Sequence, residues 1–248
     1  MADATNPFAD VVSELAPNGV LRAAVNLANF LLVTGSSPEG EPRGISPSMA
    51  RAVADKLGVA VEYITYPRPD AIADDAGHDK WDIALIAADP TRATQIAFTS
   101  AYSEIESTYL VPAGSPVKSM ADIDRPGIRI AVAAGSAYEL WLNRNIRHAE
   151  LVRASTIDES YEVFVAQGLD ALSGLKPRLL ADVQKLPGAR LLDGNFAAVQ
   201  QAIGTPRANE RAAAFLARFV EDAKQSGMVA GFIAQHNVQG LSVAPRSA

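Results

Sequence analysis

The sequence predicts an α/β fold, on three observations. Short apolar runs of strand length alternate with stretches of helical periodicity from end to end. The alternation occurs twice, on either side of a proline- and glycine-rich stretch, "PAGSPVKSMADIDRPG" (112–127), that reads as a domain boundary. The chain has 248 residues, 48% of them apolar, which suffices for one large or two medium domains with a sizeable core.

Each element follows from local chemistry. At the N-terminus, Asn6 can cap a short helix, Pro7 suits its first position, and Phe8, Val11, Val12 and Leu15 share one face. After the Asn18-Gly19 turn comes a strand over 21–25. A helix over 47–57 places Met49, Ala50, Val53 and Leu57 on one side and ends at Gly58. Strands are expected over 59–65 and 82–86 with a short helix over 70–76 between them, and an extended run over 108–111. Beyond the boundary, strands over 128–133, 150–153, 170–173, 190–192 and 199–203 intersperse with helices over 136–145, 158–167 and 177–186. A long helical run over 209–235 carries a potential break at Gly227.

Composition excludes several function classes. The net charge is −6 and no basic run suits nucleic acid or an anionic membrane surface. No window approaches the ~20 apolar residues of a membrane span. The absence of cysteine excludes disulfides, thiolate metal sites and a cysteine nucleophile. His78, His148 and His236 stand in unrelated contexts with no metal-ligand spacing, so no metal or cofactor is expected. Phosphate-loop, dinucleotide, nucleophile-elbow and zinc-protease motifs are missing, and no local pattern supports a Ser–His–Asp triad. The acidic start lacks a secretory leader. The chain is therefore expected to be cytoplasmic as it stands, or periplasmic if a leader has been removed.

Two segments carry candidate chemistry. In "ADPTRATQIAFTSAY" (88–102), Arg92 follows an apolar strand, where a permanent cation is costly to bury. Its planar fork suits a carboxylate, and the alternative is a surface arginine pairing with Asp89. In "AVAAGSAYELW" (131–141), a Gly-Ser turn opens a helix whose first-turn N–H groups make an anion site. The alternative is that Ser136 is an N-cap, with Glu139 completing a capping box. Glu104 and Glu106 are either an acid/base pair or exposed residues of one strand face. Tyr66, Tyr102, Tyr109, Phe30 and Tyr138 lie near strand ends or turns, where one or two could wall a pocket.

In their order along the chain, "NGVLRAAVNLANF" (18–30), "GEPRGISPSMARAVADKLGVAVEYITY" (40–66), "WDIALIAADPTRATQIAFTSAY" (81–102), "SMADIDRPGIRIAVAAGSAYELWL" (119–142) and "YEVFVAQGLDALSGL" (161–175) resemble the type II periplasmic solute-binding proteins. More narrowly, they resemble the family-3 extracellular solute-binding proteins of polar amino-acid ABC transporters, over roughly residues 18–240. The resemblance implies two α/β lobes joined by a two-crossing hinge, with a ligand cleft between them. It places 1–111 and 204–248 in the first lobe and 112–203 in the second. It implies that Arg92 holds a ligand carboxylate and that Gly135, Ser136 and Ala137 meet the ligand from the second lobe. Asn29, Phe30, Tyr66, Ala87, Ala88, Glu106, Leu175 and Lys176 complete the expected ligand-binding set.

The chain departs from the family pattern. Five residues after Asp170, where the family has an aspartate for the ligand's ammonium, stands Leu175, followed by Lys176. Ala87 and Ala88 replace hydroxyl residues, and Ser46 and Ser48 replace aspartates. A buried ammonium without its acid would forfeit ~3–5 kcal/mol. The expected ligand is therefore a small organic anion rather than an ordinary zwitterionic amino acid. The expected role is a monomeric solute-binding protein for transport or sensing, with an ABC permease or a signalling protein as partner. The alternative is a dehydratase-like enzyme acting on a cyclic carboxylate, with Glu104, Glu106 or Lys176 as its acid.

Overall fold

Residues 7–247 are described by the computed structural model, and Asn6, the expected first cap, lies outside them. The chain runs α1 (Ala9–Leu15), β1 (Val20–Asn26), β2 (Gly35–Ser36), β3 (Pro42–Arg43), α2 (Ile45–Leu57), β4 (Ala60–Tyr66), α3 (Pro69–Asp74) and β5 (Ile83–Ala87). A 3-10 turn, Arg92–Thr94, leads to β6 (Ile96–Phe98) and β7 (Ser103–Val111). There follow β8 (Arg129–Ala133), α4 (Ala137–Asn145), β9 (Glu150–Ala154), α5 (Ile157–Ala166), β10 (Ala171–Leu175), α6 (Lys176–Asp182) and β11 (Arg190–Leu191). Last come β12 (Ala197–Pro206), α7 (Glu210–Gln225), α8 (Met228–Gln235) and β13 (Ser242–Val243).

These elements form two compact units. One comprises the chain up to Glu104 and from Gln200 onward, the other Ile105–Val199. The sequence placed the divisions at 111/112 and 203/204. They fall earlier at both crossings because β7 and β12 run unbroken through the crossing points, so strand ends do not mark the boundary. The proline-rich stretch belongs inside the second unit, where Ser119 and Asp122 form a reciprocal capping box around a 3-10 turn.

In the first unit β4, β1 and β5 are parallel, with β12 antiparallel to β5 and β6 antiparallel to β12. Alternation along the strands splits the core into two layers. Leu21, Ala23, Ile83 and Leu85 pack with Ile45, Met49, Val53 and Leu57 of α2 and with Leu216, Phe219 and Val220 of α7. Ala24, Ala84 and Ile86 pack on Ile72, Trp81 and Ile96. In the second unit β10 is antiparallel to β7 and parallel to β8, which is parallel to β9. Leu110, Ala131 and Leu172 are sealed there by Phe164 of α5 and Leu179 of α6.

Some expected boundaries shift. α1 begins at Ala9 with Phe8 at its N-cap, so Pro7 precedes the helix, and Phe8 packs edge-on against Phe215 with ring centres 5.3 Å apart. The 209–235 run does break at Gly227, whose φ of +79° is left-handed. The helix expected over 177–186 ends at Asp182 and continues only as a 3-10 turn. Among the described residues no helix is long and apolar enough to cross a membrane.

Candidate functional site

Where a parallel strand feeds a helix, the loop after the strand collects with its neighbours at the carboxyl edge of the sheet, which is where such sheets bind ligands. In the first unit that edge is made by Asn26, Tyr66 and Ala87, the last residues of β1, β4 and β5. All five residues of β5 are buried, so the chain leaves the core at Ala87 and must satisfy its backbone at once. The Ala88 amide donates to the Gln200 carbonyl at 2.8 Å. Asp89 Oδ1 accepts from the Thr91 amide at 2.8 Å, and the Asp89 carbonyl accepts from Ala93 at 2.9 Å. This tight turn folds Arg92 back, and its Nη1 donates to the Ala87 carbonyl at 2.9 Å.

Arg92 is only 6% exposed, so it is not a surface arginine, although the charge of Asp89 acts on it as that alternative expected. Burial lowers its pKa, and the negative charges of Asp89 and Asp70 oppose that shift. A guanidinium stays protonated even so. Asp70 places Oδ2 3.3 Å from Arg68 Nη2 and leaves Oδ1 buried without a hydrogen bond. Neither Arg68 nor Asp70 was singled out from sequence, where Asp70 read only as the start of a short helix over 70–76.

The other first-unit residues divide by role. Asn29 is buried, and its Oδ1 accepts from the Leu31 amide at 3.2 Å while its carbonyl accepts from Leu32 and Val33. It shapes the loop after β1, and that loop presents Leu27 and Phe30 as exposed apolar side chains. The Tyr66 hydroxyl donates to Asp75 Oδ2 at 2.8 Å, and burial, reinforced by Asp75, pushes its pKa up to about 12. Tyr102 is fully buried against Ser46 Oγ at 3.0 Å, so it braces the core instead of walling a pocket.

The second unit's carboxyl edge is formed by Ala133 of β8, Ala154 of β9 and Leu175 of β10. Gly135, at φ +72°, makes the turn into α4. Ser136 Oγ accepts from the Glu139 amide at 3.1 Å and donates to the Ala133 carbonyl at 2.7 Å, so its hydroxyl proton is committed within the chain. The expected capping box is only half made. Glu139 turns its carboxylate to Arg153 Nε at 2.9 Å and to Asn143, because a buried carboxylate is better served by a cation. Ala137 opens the helix, whose first turn supplies backbone N–H groups at its positive end.

Leu175 is 6% exposed and ends β10, opposite Ser107 of β7. Lys176 begins α6 and reaches Glu106 Oε2 at 2.6 Å, the two side chains being 39% and 51% exposed. Lys176, with the Asn195 side chain adding a hydrogen bond, holds the Glu106 carboxyl below the usual carboxylate range. Asn195 also escaped notice in the sequence, since nothing local ties a loop asparagine to a strand 89 positions earlier. Glu104 lies in the other unit, where it pairs with Ser242 of β13, so it forms no acid/base set with Glu106 inside one unit. Tyr109 and Trp141 both pack on Phe196, with ring centres 4.6 and 5.2 Å away. The histidines remain apart: His236 Nε2 meets Ser48 Oγ at 3.0 Å and His78 Nδ1 meets the Asp74 carbonyl at 3.1 Å. Among the described residues no three His, Cys, Asp or Glu side chains could hold a metal ion together.

Each unit thus gathers polar groups at a sheet's carboxyl edge. Among curated proteins none matches the chain. Solved structures do. A substrate-binding protein of an amino acid ABC transporter from Streptococcus pneumoniae, bound to L-arginine, is 19% identical with a TM-score of 0.72, covering 94% of this chain and 99% of its own. The cysteine-binding protein of Campylobacter jejuni is 18% identical with a TM-score of 0.72, covering 91% of this chain and 92% of its own. An ancestral amino acid-binding protein, described as a precursor of cyclohexadienyl dehydratase, is 19% identical with a TM-score of 0.73, covering 90% and 98%. At these identities the likeness speaks for the fold, a periplasmic-binding-protein-like type II fold. The family model of the bacterial extracellular solute-binding proteins, family 3, matches residues 30–238, and the chain belongs to that family.

Proposed function

We propose that this solute-binding protein takes a small carboxylate-bearing solute rather than an ordinary zwitterionic amino acid. The observation that carries the first half is Arg92. A guanidinium so fully withdrawn from water is stabilised best by an anion, and its fork matches a carboxylate. The second half rests on the other unit's edge. Leu175 there is apolar and buried, and Glu106 is already neutralised by Lys176, so a ligand ammonium meets no unspent acid. By family, an ABC permease is the natural recipient of the solute. The dehydratase-like alternative needs a protonated general acid, whereas Lys176 keeps Glu106 ionised near neutrality.

Calorimetry against the twenty amino acids and a panel of mono- and dicarboxylic acids tests this proposal. Acids should bind and Arg92→Met should abolish their binding, an effect of at least about a hundredfold for a charge-assisted contact made in a buried site. Tight binding of a plain amino acid would overturn the proposal.

A further inference from the structure

We infer that residues 242–247 form a releasable strap, which splints strand β7 where it leaves the first unit and so sets how freely that crossing bends. The inference is independent of which solute the protein takes. Three observations carry it. First, the strap lies at the crossing. Glu104 is the last residue of the first unit on β7, and Ser242 of β13 stands opposite it, with Val243 opposite Ser103. The Ala244 amide then donates to the Tyr102 carbonyl at 3.1 Å, while the Tyr102 amide donates to the Gln201 carbonyl at 2.8 Å. With the strap in place, the departing end of β7 is bonded on both sides. Without it, that end becomes a sheet edge with backbone groups open to water.

Secondly, a latch holds the strap from outside the sheet. The Lys224 side chain of α7 is only 1% exposed, and its Nζ donates to the Pro245 carbonyl at 2.8 Å. Nζ also meets Glu221 Oε1 at 2.8 Å, and that oxygen accepts from Ser100 Oγ at 2.5 Å. A buried ammonium needs such partners. Glu221 stays with Lys224 when the strap lifts, so release strands no unpaired charge. Thirdly, the strap is lightly built. Its strand is two residues long, and Pro245, Arg246 and Ser247 are exposed. An open hollow of about 290 Å³ is lined by Ile233 and Ala234 of α8 and by Leu241 and Val243, so apolar contact is incomplete there. Segments with few buried contacts open locally at far lower cost than the whole fold. The strap is thus a two-state element. Attached, it keeps β7 paired up to the crossing; lifted, it leaves the strand free to bend between Glu104 and Ile105.

The test is hydrogen exchange read by mass spectrometry on the full-length wild-type protein, Lys224→Met and Ala244→Pro, with circular dichroism and melting curves confirming each fold. Lys224→Met removes the latch. Ala244→Pro removes the amide that meets Tyr102 and keeps the extended backbone that a residue before Pro245 already favours. In the wild type, peptides over 240–247 should exchange about a hundredfold faster than those over β1 and β8. Each variant should speed exchange over 240–247 further and, by about tenfold or more, over 102–107, with β1 and β8 unchanged. Strap amides that exchange no faster than β1 in the wild type would mean that the strap opens only with the whole molecule, and would overturn the inference. So would variants that loosen the strap yet leave 102–107 as protected as before, or exchange over 240–247 that neither variant alters. Should Lys224→Met melt early, Ala244→Pro decides alone.

Discussion

At the scale of single residues, the informative groups are those whose polarity and burial conflict. Arg92 is one, and its position after an apolar strand was legible from sequence because a cation in that setting demands a reason. The hydroxyls of Ser103 and Ser107 are another case. Both are buried in β7 without a hydrogen-bond partner, and nothing in "SEIES" announced it. An orphaned buried hydroxyl costs about 1–3 kcal/mol. Ser107→Ala is therefore expected to leave stability unchanged or raise it by about 1 kcal/mol, measured by urea denaturation. Glu221 supplies a pH test. Lys224 and then Ser100 hydrogen-bond its carboxylate and pull its pKa down to about 2. A carboxyl depressed on folding stabilises the native state above its unfolded pKa, and that contribution fades as pH falls through the folded value. Glu221→Gln should accordingly lower the melting temperature at pH 7. The gap to wild type should narrow below the ordinary value of 4.5 and close near pH 2.

At the scale of elements, periodicity found what it can find. Helix α2 was evident because it buries a regular face, Met49, Val53 and Leu57, whereas β1 and β5 were evident as short apolar runs, β5 buried along its whole length. The β2–β3 pair, β6 and β13 were not evident, since two or three residues cannot establish a period and their pairing partners lie elsewhere in the chain. Asn195 near Glu106 depends on tertiary placement, and no local pattern could reveal it. Entry into α2 also hides a constraint. Gly44 sits at φ +142°, and a Cβ there would lie 2.2 Å from the Leu32 carbonyl oxygen. Gly44→Ala should destabilise the protein by at least about 1–3 kcal/mol, read from the denaturation midpoint at unchanged slope.

For the molecule as a whole, ligand and fold are linked by mass action. An acid that binds only the native state adds ~2.7 kcal/mol when present at a hundred times its Kd. Scanning fluorimetry should show glutarate raising the melting temperature in proportion to the logarithm of its concentration, and Arg92→Met should show no rise. A solute without a carboxylate should leave the curve where it was.

The first unit is assembled from both ends of the polypeptide. Its core lacks Leu216, Phe219 and Val220, and its sheet lacks β12, until the last quarter of the chain is present. On a ribosome, the opening hundred residues therefore emerge with their apolar faces uncovered. The inserted middle segment, whose contacts are closer in sequence, is free to settle first. Closing so distant a pairing is slow, and sticky surface stays open meanwhile. Newly made chains should thus depend on holding chaperones, and their vulnerability to aggregation should end only once translation has delivered α7.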